Sequence, residues 1–273
     1  MTNKNTRLAI AILARNCEKS LKKNFIELQK LEEYYSIDYY IIENDSTDGT
    51  KDFLIQWVND DNHKKLISFN NLELPEEKQI NGNRIQRMVQ YRNLYMDAIE
   101  DSGVHYDYLV MVDIDVEYFS AEDIIDSINN KPEDAVGVFA NGRYFYKIGK
   151  KYFLTNYYDL FAFEIENKKT NVDKLSVLNK KFKNNRFVTC SSAFAGIGIY
   201  EYKIIQKIRY KYEELDGNSI CEHIPFNACA CQHGKLYIDK QLHVRYEKIS
   251  LIQYLKYVFV PIYIKKIFYR EKL

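Results

Sequence analysis

The sequence predicts an α/β protein: a mostly parallel central sheet with helices on both faces. Two observations predict it. Short apolar runs alternate with stretches whose apolar residues recur every three to four positions, and such strand–helix alternation builds a parallel sheet. Three polar clusters, Arg15-Asn16, Glu43 to Asp48 and Asp113 to Asp115, each follow an apolar run. They lie at the carboxyl ends of the expected strands, where open sheets of this kind take their ligands.

Taken in order, Arg7 to Ala14 is the first strand. Glu18 to Tyr35 carries Leu21, Phe25, Leu28 and Leu31 at helical spacing. Asp38 to Glu43 is a second strand, and it leads into the turn-forming run Asn44-Asp45-Ser46-Thr47-Asp48-Gly49-Thr50. Asp48 or Thr50 can cap the helix bearing Phe53, Leu54, Trp57 and Val58. Lys65 to Phe69 is a third strand, followed by a loop through Pro75 and Gly82. Arg84 to Glu100 is a long helix with Ile85, Met88, Val89, Tyr91, Tyr95 and Ile99 on its apolar side, ended by Gly103. The apolar run Tyr108 to Val112 is a buried strand that ends in Asp113-Ile114-Asp115. A helix from Ala121 to Asn129 and a strand from Ala135 to Phe139 follow. Asn141 to Phe163 is aromatic, and Asn167 to Asn185 is a surface loop or helix. Phe187 to Ala193 is a strand that runs into the glycine-bearing Phe194 to Tyr200. Cys221 to Pro225 opens a short helix, and Leu236 to Ile238 and Gln241 to Tyr246 complete the pattern.

Residues i and i+2 of an extended segment share a side, so Asp113 and Asp115 converge just beyond the sheet. Two hard oxygen ligands suit Mg²⁺ or Mn²⁺, which fills its remaining positions with water and substrate phosphate. The competing reading is a solvated acidic turn. Composition sets the other bounds. Thirty-nine basic and 38 acidic residues leave a net charge of +1, so no global field points to nucleic acid. Five cysteines, without a secretory leader, lead to an expectation of a reducing, cytoplasmic setting. Cys221, His223, Cys229, Cys231 and His233 form a cluster, but Cys-x-Cys is not the usual zinc spacing and buried core cysteines explain it better.

The turn Ile42-Glu43-Asn44-Asp45-Ser46-Thr47-Asp48-Gly49-Thr50, with the aspartate pair in its place downstream, resembles the GT-A-fold glycosyltransferases that use nucleotide-sugar donors. Within them it is most similar to the CAP59-like capsular mannosyltransferases and related bacterial capsule or lipopolysaccharide enzymes. The resemblance spans about Arg7 to Tyr246 as one domain. Its nucleotide-binding half is about 1–117 and its acceptor half about 118–249. By that resemblance, Ala14, Arg15 and Asn16 edge the nucleotide pocket, Glu43 and Asp45 contact base or ribose, and Asp48 shapes the turn. Arg92 and Asn93 face the nucleotide, and Arg15 or Arg92 contacts phosphate. Asp113, Asp115 and His243 hold Mn²⁺ or Mg²⁺. Gly196 and Gly198 belong to a loop near donor and acceptor, and Tyr157 and Asp159 line its aromatic wall. Glu222-His223 stands where the family has x-Glu-Asp, so the second acid is a histidine here. The base is then Glu222, His223 or neither, and the stereochemical outcome stays open.

The function expected is metal-dependent transfer of a sugar to a glycan or lipid-linked acceptor in surface-polysaccharide synthesis. A sugar-phosphate nucleotidyltransferase is the first alternative, disfavoured because Ala14-Arg15-Asn16-Cys17 replaces a glycine-rich loop after the first strand. A catalytically inactive assembly subunit is the second, and the intact aspartates speak against it. No Gly-x-Gly-x-x-Gly follows a strand, which disfavours a dinucleotide-dependent dehydrogenase. The stretch 250–273 is a basic amphipathic tail, too charged to span a bilayer but suited to peripheral contact with an anionic membrane.

Overall fold

The computed structural model describes residues 5–252 apart from 60, 167 and 169. The expected tail therefore lies, from 253 onward, outside the described residues. Seven consecutive apolar residues make β1 (Arg7–Ala14) a central strand, buried on both faces. α1 (Glu18–Leu31), β2 (Ser36–Asn44), α2 (Thr50–Val58), β3 (Lys64–Phe69), α3 (Arg84–Asp101) and β4 (Tyr108–Asp113) follow as the periodicity predicts. The rest comprises β5 (Tyr118–Phe119), α4 (Ala121–Asn130), β6 (Ala135–Ile148), β7 (Lys151–Tyr157), α5 (Asn171–Lys181), β8 (Phe187–Cys190), β9 (Ile197–Glu201), α6 (Tyr202–Ile205), β10 (Glu214–Leu215), β11 (Asn218–Ser219), α7 (His223–Ala230) and β12 (Lys235–Lys248).

One sheet takes ten of these strands, in the order β3-β2-β1-β4-β9-β6-β12-β5, with β7 on β6 and β8 on β12. β3, β2, β1 and β4 are parallel neighbours. β9 is inserted antiparallel between β4 and β6, so β6, and β12 parallel to it, point the same way as β4. Six strands thus end on one rim. α1 and α2 cover one face, where Phe25, Tyr39 and Trp57 meet edge to face. α3 and α7 pack around Met111 and Tyr200, with Tyr95, Tyr210 and Phe226 between them.

Three segments differ from expectation. The aromatic stretch after Asn141 is a β-hairpin in which Ile148 pairs with Lys151 across Gly149, whose φ of 57° the turn requires. The glycine-bearing stretch around Gly198 is itself a strand, β9, and Gly198 sits opposite Met111 inside the sheet rather than in a loop. The two short C-terminal segments are one strand, β12, with an irregularity between Ile238 and His243.

Candidate active site

β1 and β2 end side by side, and the polar turns that follow are laced together. Asn16 adopts φ 49°, a left-handed conformation that asparagine tolerates. Its Oδ1 accepts from the Thr47 amide at 2.7 Å, and its own amide donates to Ser46 Oγ at 3.2 Å. Asp48 accepts from the Thr50 amide at 2.9 Å and the Glu18 amide at 3.2 Å, so one carboxylate caps the first turns of α2 and α1. What burial it has works to raise its pKa, yet the hydrogen bonds from Thr50 and Glu18 win and hold it below the usual carboxylate value. Glu43 is fully buried, taking the Ser46 amide at 3.0 Å and the Ser68 hydroxyl at 2.5 Å. Asp45 accepts from the Asn71 amide at 2.8 Å.

These turns wall a cleft of about 590 Å³ lined by Arg15, Asp45, Ser46 and Thr47 on one side and Asn71, Arg87 and Tyr91 on the other. Of the residues expected to meet the nucleotide, Arg15 and Asp45 line it. Ala14, Asn16, Glu43 and Asp48 build its wall from behind. Glu43 is too deeply held to reach a base or ribose. Arg92 and Asn93 turn away from the cleft. Asn93 is engaged on both sides by the Tyr210 backbone, at 2.9 and 3.1 Å, and Arg92 is buried. Arg87, five residues earlier and on another side of α3, lines the cleft instead.

The acidic pair is set by β4 and the turn after it. The Asp113 amide donates to Gly196 O at 2.8 Å, and a φ of 94° at Gly196 aims that carbonyl. Ile114 and Val116 are fully buried. Asn24 of α1, also fully buried, donates Nδ2 to Ile114 O at 3.1 Å and to Val116 O at 2.8 Å. With the alternate residues pinned inward, Asp113 stays half-buried and Asp115 is exposed at the rim. The sequence signal for this role is an asparagine between Leu21 and Phe25 on an otherwise apolar helix face.

Behind the pair lies Arg92, 4% exposed, with Nε 3.0 Å from Glu222 Oε1, Nη1 3.1 Å from the Tyr95 hydroxyl and Nη2 3.7 Å from Asp113 Oδ1. Asp159 sits nearby, accepting from the Ala195 amide at 2.9 Å and the Ala162 amide at 3.3 Å. Four carboxylates thus share a partly desolvated corner with Arg92. Burial pushes the Asp113 carboxyl up to about 8; Arg92 opposes this, while Asp115, Asp159 and Glu222 add to it. Asp115 and Asp159 are raised too, mainly by desolvation. Such a corner has more carboxyl groups than its own arginine can balance as anions, and the hard oxygen donors of Asp113 and Asp115, once deprotonated, fit a divalent cation.

Among the described residues, no group of three His, Cys, Asp or Glu side chains is set to hold a metal. The contacts of His243 lie elsewhere: its Nδ1 is 3.4 Å from Asp123 Oδ2, and it lines a separate hollow with Arg186 and Lys240. The alternation of β12 turns it to the opposite side of the strand from Val244, which reaches Gly196. A cation held by Asp113 and Asp115 would draw its remaining ligands from substrate phosphate and water.

The side of the rim built by β6, β7 and β12 is aromatic. Tyr158 and Tyr246 stack at 3.9 Å with 4° between their planes, and Tyr144 meets both edge to face. Tyr157 is fully buried beneath Arg143 and is a wall residue. His223, 2% exposed, stacks on Phe194 at 4.1 Å and meets the edge of Tyr210. Burial, helped by Arg92, holds its pKa well below 6.5, so it is a neutral imidazole, and neither ring nitrogen has a hydrogen-bond partner among the described residues. Glu222 is committed to Arg92.

Known structures share this architecture. The crystal structure of S. aureus TarS 1–349 superposes with a TM-score of 0.52 at 14% identity, over 89% of this chain and 60% of that one. The mannosyltransferase PcManGT from Pyrobaculum calidifontis, solved with GDP-Man and Mn²⁺, gives a TM-score of 0.51 at 10% identity over 88% and 56%. GalNAc-T7 with UDP, GalNAc and Mn²⁺ gives 0.56 at 12% over 89% and 44%. The chain therefore spans about 60% of the length of TarS 1–349, and the shared fold is that of the GT-A glycosyltransferases. No curated protein matches in sequence. The family model described as Cryptococcal mannosyltransferase 1 matches residues 7–245, and the chain belongs to that family, the CAP59 mannosyltransferases, a family of hexosyl-transferring glycosyltransferases.

Proposed function

We propose that the protein transfers a hexosyl group from a nucleotide-sugar donor to a hydroxyl of a glycan or lipid-linked acceptor in surface-polysaccharide synthesis, with Mn²⁺ or Mg²⁺ between Asp113 and Asp115. The observation that carries this reading is the raised, over-acidic Asp113–Asp115 pair on the same rim as the cleft between the β1 and β2 turns. A bound cation there would offset the charge that develops on a departing nucleoside diphosphate. Arg15 and Arg87, on the cleft walls, suit its phosphates, since guanidinium matches phosphate oxygens in pairs. Arg92 orients Asp113 and holds Glu222. Of the two expected bases, Glu222 is engaged by Arg92, and His223 is buried with its pKa held well below 6.5, so the base is left open between them and neither. The likeness to an enzyme solved with GDP-Man makes a mannose nucleotide the first donor to assay.

Hydrolysis of a panel of nucleotide sugars, with Mn²⁺ or with chelator, tests the reading. One donor is expected to be turned over only with metal, and Asp115→Ala, folded by circular dichroism, should lose roughly a hundredfold or more of that rate. Metal-independent turnover, or formation of a sugar nucleotide from a nucleoside triphosphate, would refute it.

A further inference from the structure

The β6–β7 hairpin has no part in the cleft or the acidic pair, and its surface is unusual. Ile148, Tyr152, Phe153 and Leu154 are exposed by 54, 46, 38 and 42%. Consecutive strand residues point to opposite faces, so apolar surface shows on both sides of the tip. The aromatic rings are ordered rather than loose. Phe153 stacks on Tyr146 at 5.0 Å with 8° between planes, and the Arg245 guanidinium lies 4.2 Å above the Tyr152 ring. Lys147, Lys150 and Lys151 surround this surface, all exposed, and none forms an ion pair among the described residues. From Tyr144 to Tyr157 there is no acidic residue.

Register fixes where the hairpin points. Phe139 lies level with Gly198, which lies level with Met111, two residues short of Asp113. β6 runs the same way as β4 and continues to Ile148. At about 3.3 Å per residue, a straight strand would carry the tip on the order of 20 Å past the level of the acidic pair. The tip therefore projects from the rim that carries the candidate active site.

We propose that this hairpin tip docks on an anionic lipid surface, with its aromatic and aliphatic side chains in the interface and its lysines against the headgroups. Charge selects this occupant over the other two. The chain leaves the hairpin's base at Ile249, whose amide donates to Phe145 O at 2.7 Å, and continues beyond Ile252 with Lys256, Lys265, Lys266, Arg270 and Lys272 against Glu271. That segment is as basic as the hairpin, so covering the tip with it would set like charges together. A second copy of the tip would do the same. An anionic bilayer complements both stretches at once. Among the described residues no helix is long and apolar enough to cross a membrane. Docked this way, the rim with Asp113 and Asp115 faces the lipid surface. The inference does not rest on the transfer chemistry.

The test is flotation of the full chain with phosphatidylcholine vesicles, with and without phosphatidylglycerol. Binding is expected only to the anionic vesicles and should weaken as salt rises. Lys150→Glu combined with Lys151→Glu should cost on the order of tenfold or more in vesicle affinity. Phe153→Ser combined with Leu154→Ser should cost a similar factor through lost apolar insertion. Both variants lie on exposed sites, and unchanged melting temperatures show that they fold. Vesicle binding that both variants retain at wild-type strength would overturn the proposal and leave the C-terminal stretch as the sole contact. Failure of the wild type to bind anionic vesicles would overturn it too. If that failure came with hydrogen-exchange protection of residues 152–154, the chain's own end would be the occupant. If it came with a dimer that either variant dissociates, a second copy would be. Neither result touches the donor-hydrolysis assay, so the two readings stand or fall separately.

Discussion

At the scale of single residues, the site depends on how four carboxylates share one buried arginine. Arg92 contacts both Asp113 and Glu222 with almost no water around it, and removing one partner of a buried pair leaves the other uncompensated. Arg92→Met should therefore destabilise the fold by about 3–5 kcal/mol in a urea melt. Arg92→Lys, which keeps the charge but loses the fork, should cost less. Asp113 makes a second prediction, on pH. An unfolded chain releases this proton near 3.8, whereas the metal-free folded chain keeps it to about 8. Between those values the folded state binds more protons than the unfolded state, so stability falls as pH rises through the window. The metal-free melting temperature should drop between about pH 5 and about pH 8, by roughly 2–4 °C for each kcal/mol lost. Mn²⁺ needs the deprotonated carboxylate, so it should bind more tightly as pH rises and restore the lost stability. Asp113→Asn should weaken both responses, leaving what Asp115 and Asp159 contribute, and a pH slope unchanged by this substitution would show that the Asp113 carboxyl is not raised.

The element that places the acids is α1, through a side chain that faces neither cleft nor solvent. Asn24 spans Ile114 O and Val116 O, and both bonds are buried. Asn24→Ala should cost about 2–3 kcal/mol, since two buried carbonyls lose their donor. It should also weaken Mn²⁺ binding, measured by calorimetric titration, because the turn carrying Asp115 is then free to shift. A stability loss with unchanged metal affinity would confine Asn24 to a folding role. The elements differ in how plainly the sequence announces them, and the reason is physical. β1, β2 and β4 are buried on both faces and must be continuous apolar runs, so they are legible, and the acids ending β4 are legible with them. The turn from Asn44 to Thr50 is legible because its residue types serve only turns and caps. The β6–β7 hairpin is not, because tyrosine-rich sequence suits a strand, a wall or a loop equally. β9 is hidden because Gly198, read as loop, is in fact required where Tyr200, Phe194 and Phe139 close over the strand. The inward turn of Arg92 is invisible too. α3 presents Arg87 and Arg92 on different sides, and the sequence does not say which faces the cleft.

At the scale of the molecule, the inserted antiparallel strand decides how the two expected halves behave. A boundary near residue 117 would leave β4 as the edge of the first half, yet in the sheet β4 is covered by β9 from the second. The same strand joins β4 to β6, and β5, just past the boundary, pairs with β12 at the other end of the path. Asp113 itself donates its amide to Gly196, and Arg92 reaches Glu222, so the acids are assembled across the division. A fragment of residues 1–117 would therefore expose the apolar edge of β4 and lose the partners of its own site, which favours aggregation over folding. The full chain is expected to melt in one cooperative transition, with calorimetric and van't Hoff enthalpies in agreement. The isolated fragment is expected to be unfolded or aggregated by circular dichroism and sedimentation. Two resolved transitions, with the fragment reproducing the first, would show instead that the nucleotide-binding half is an independent unit and that β9 only rests against it.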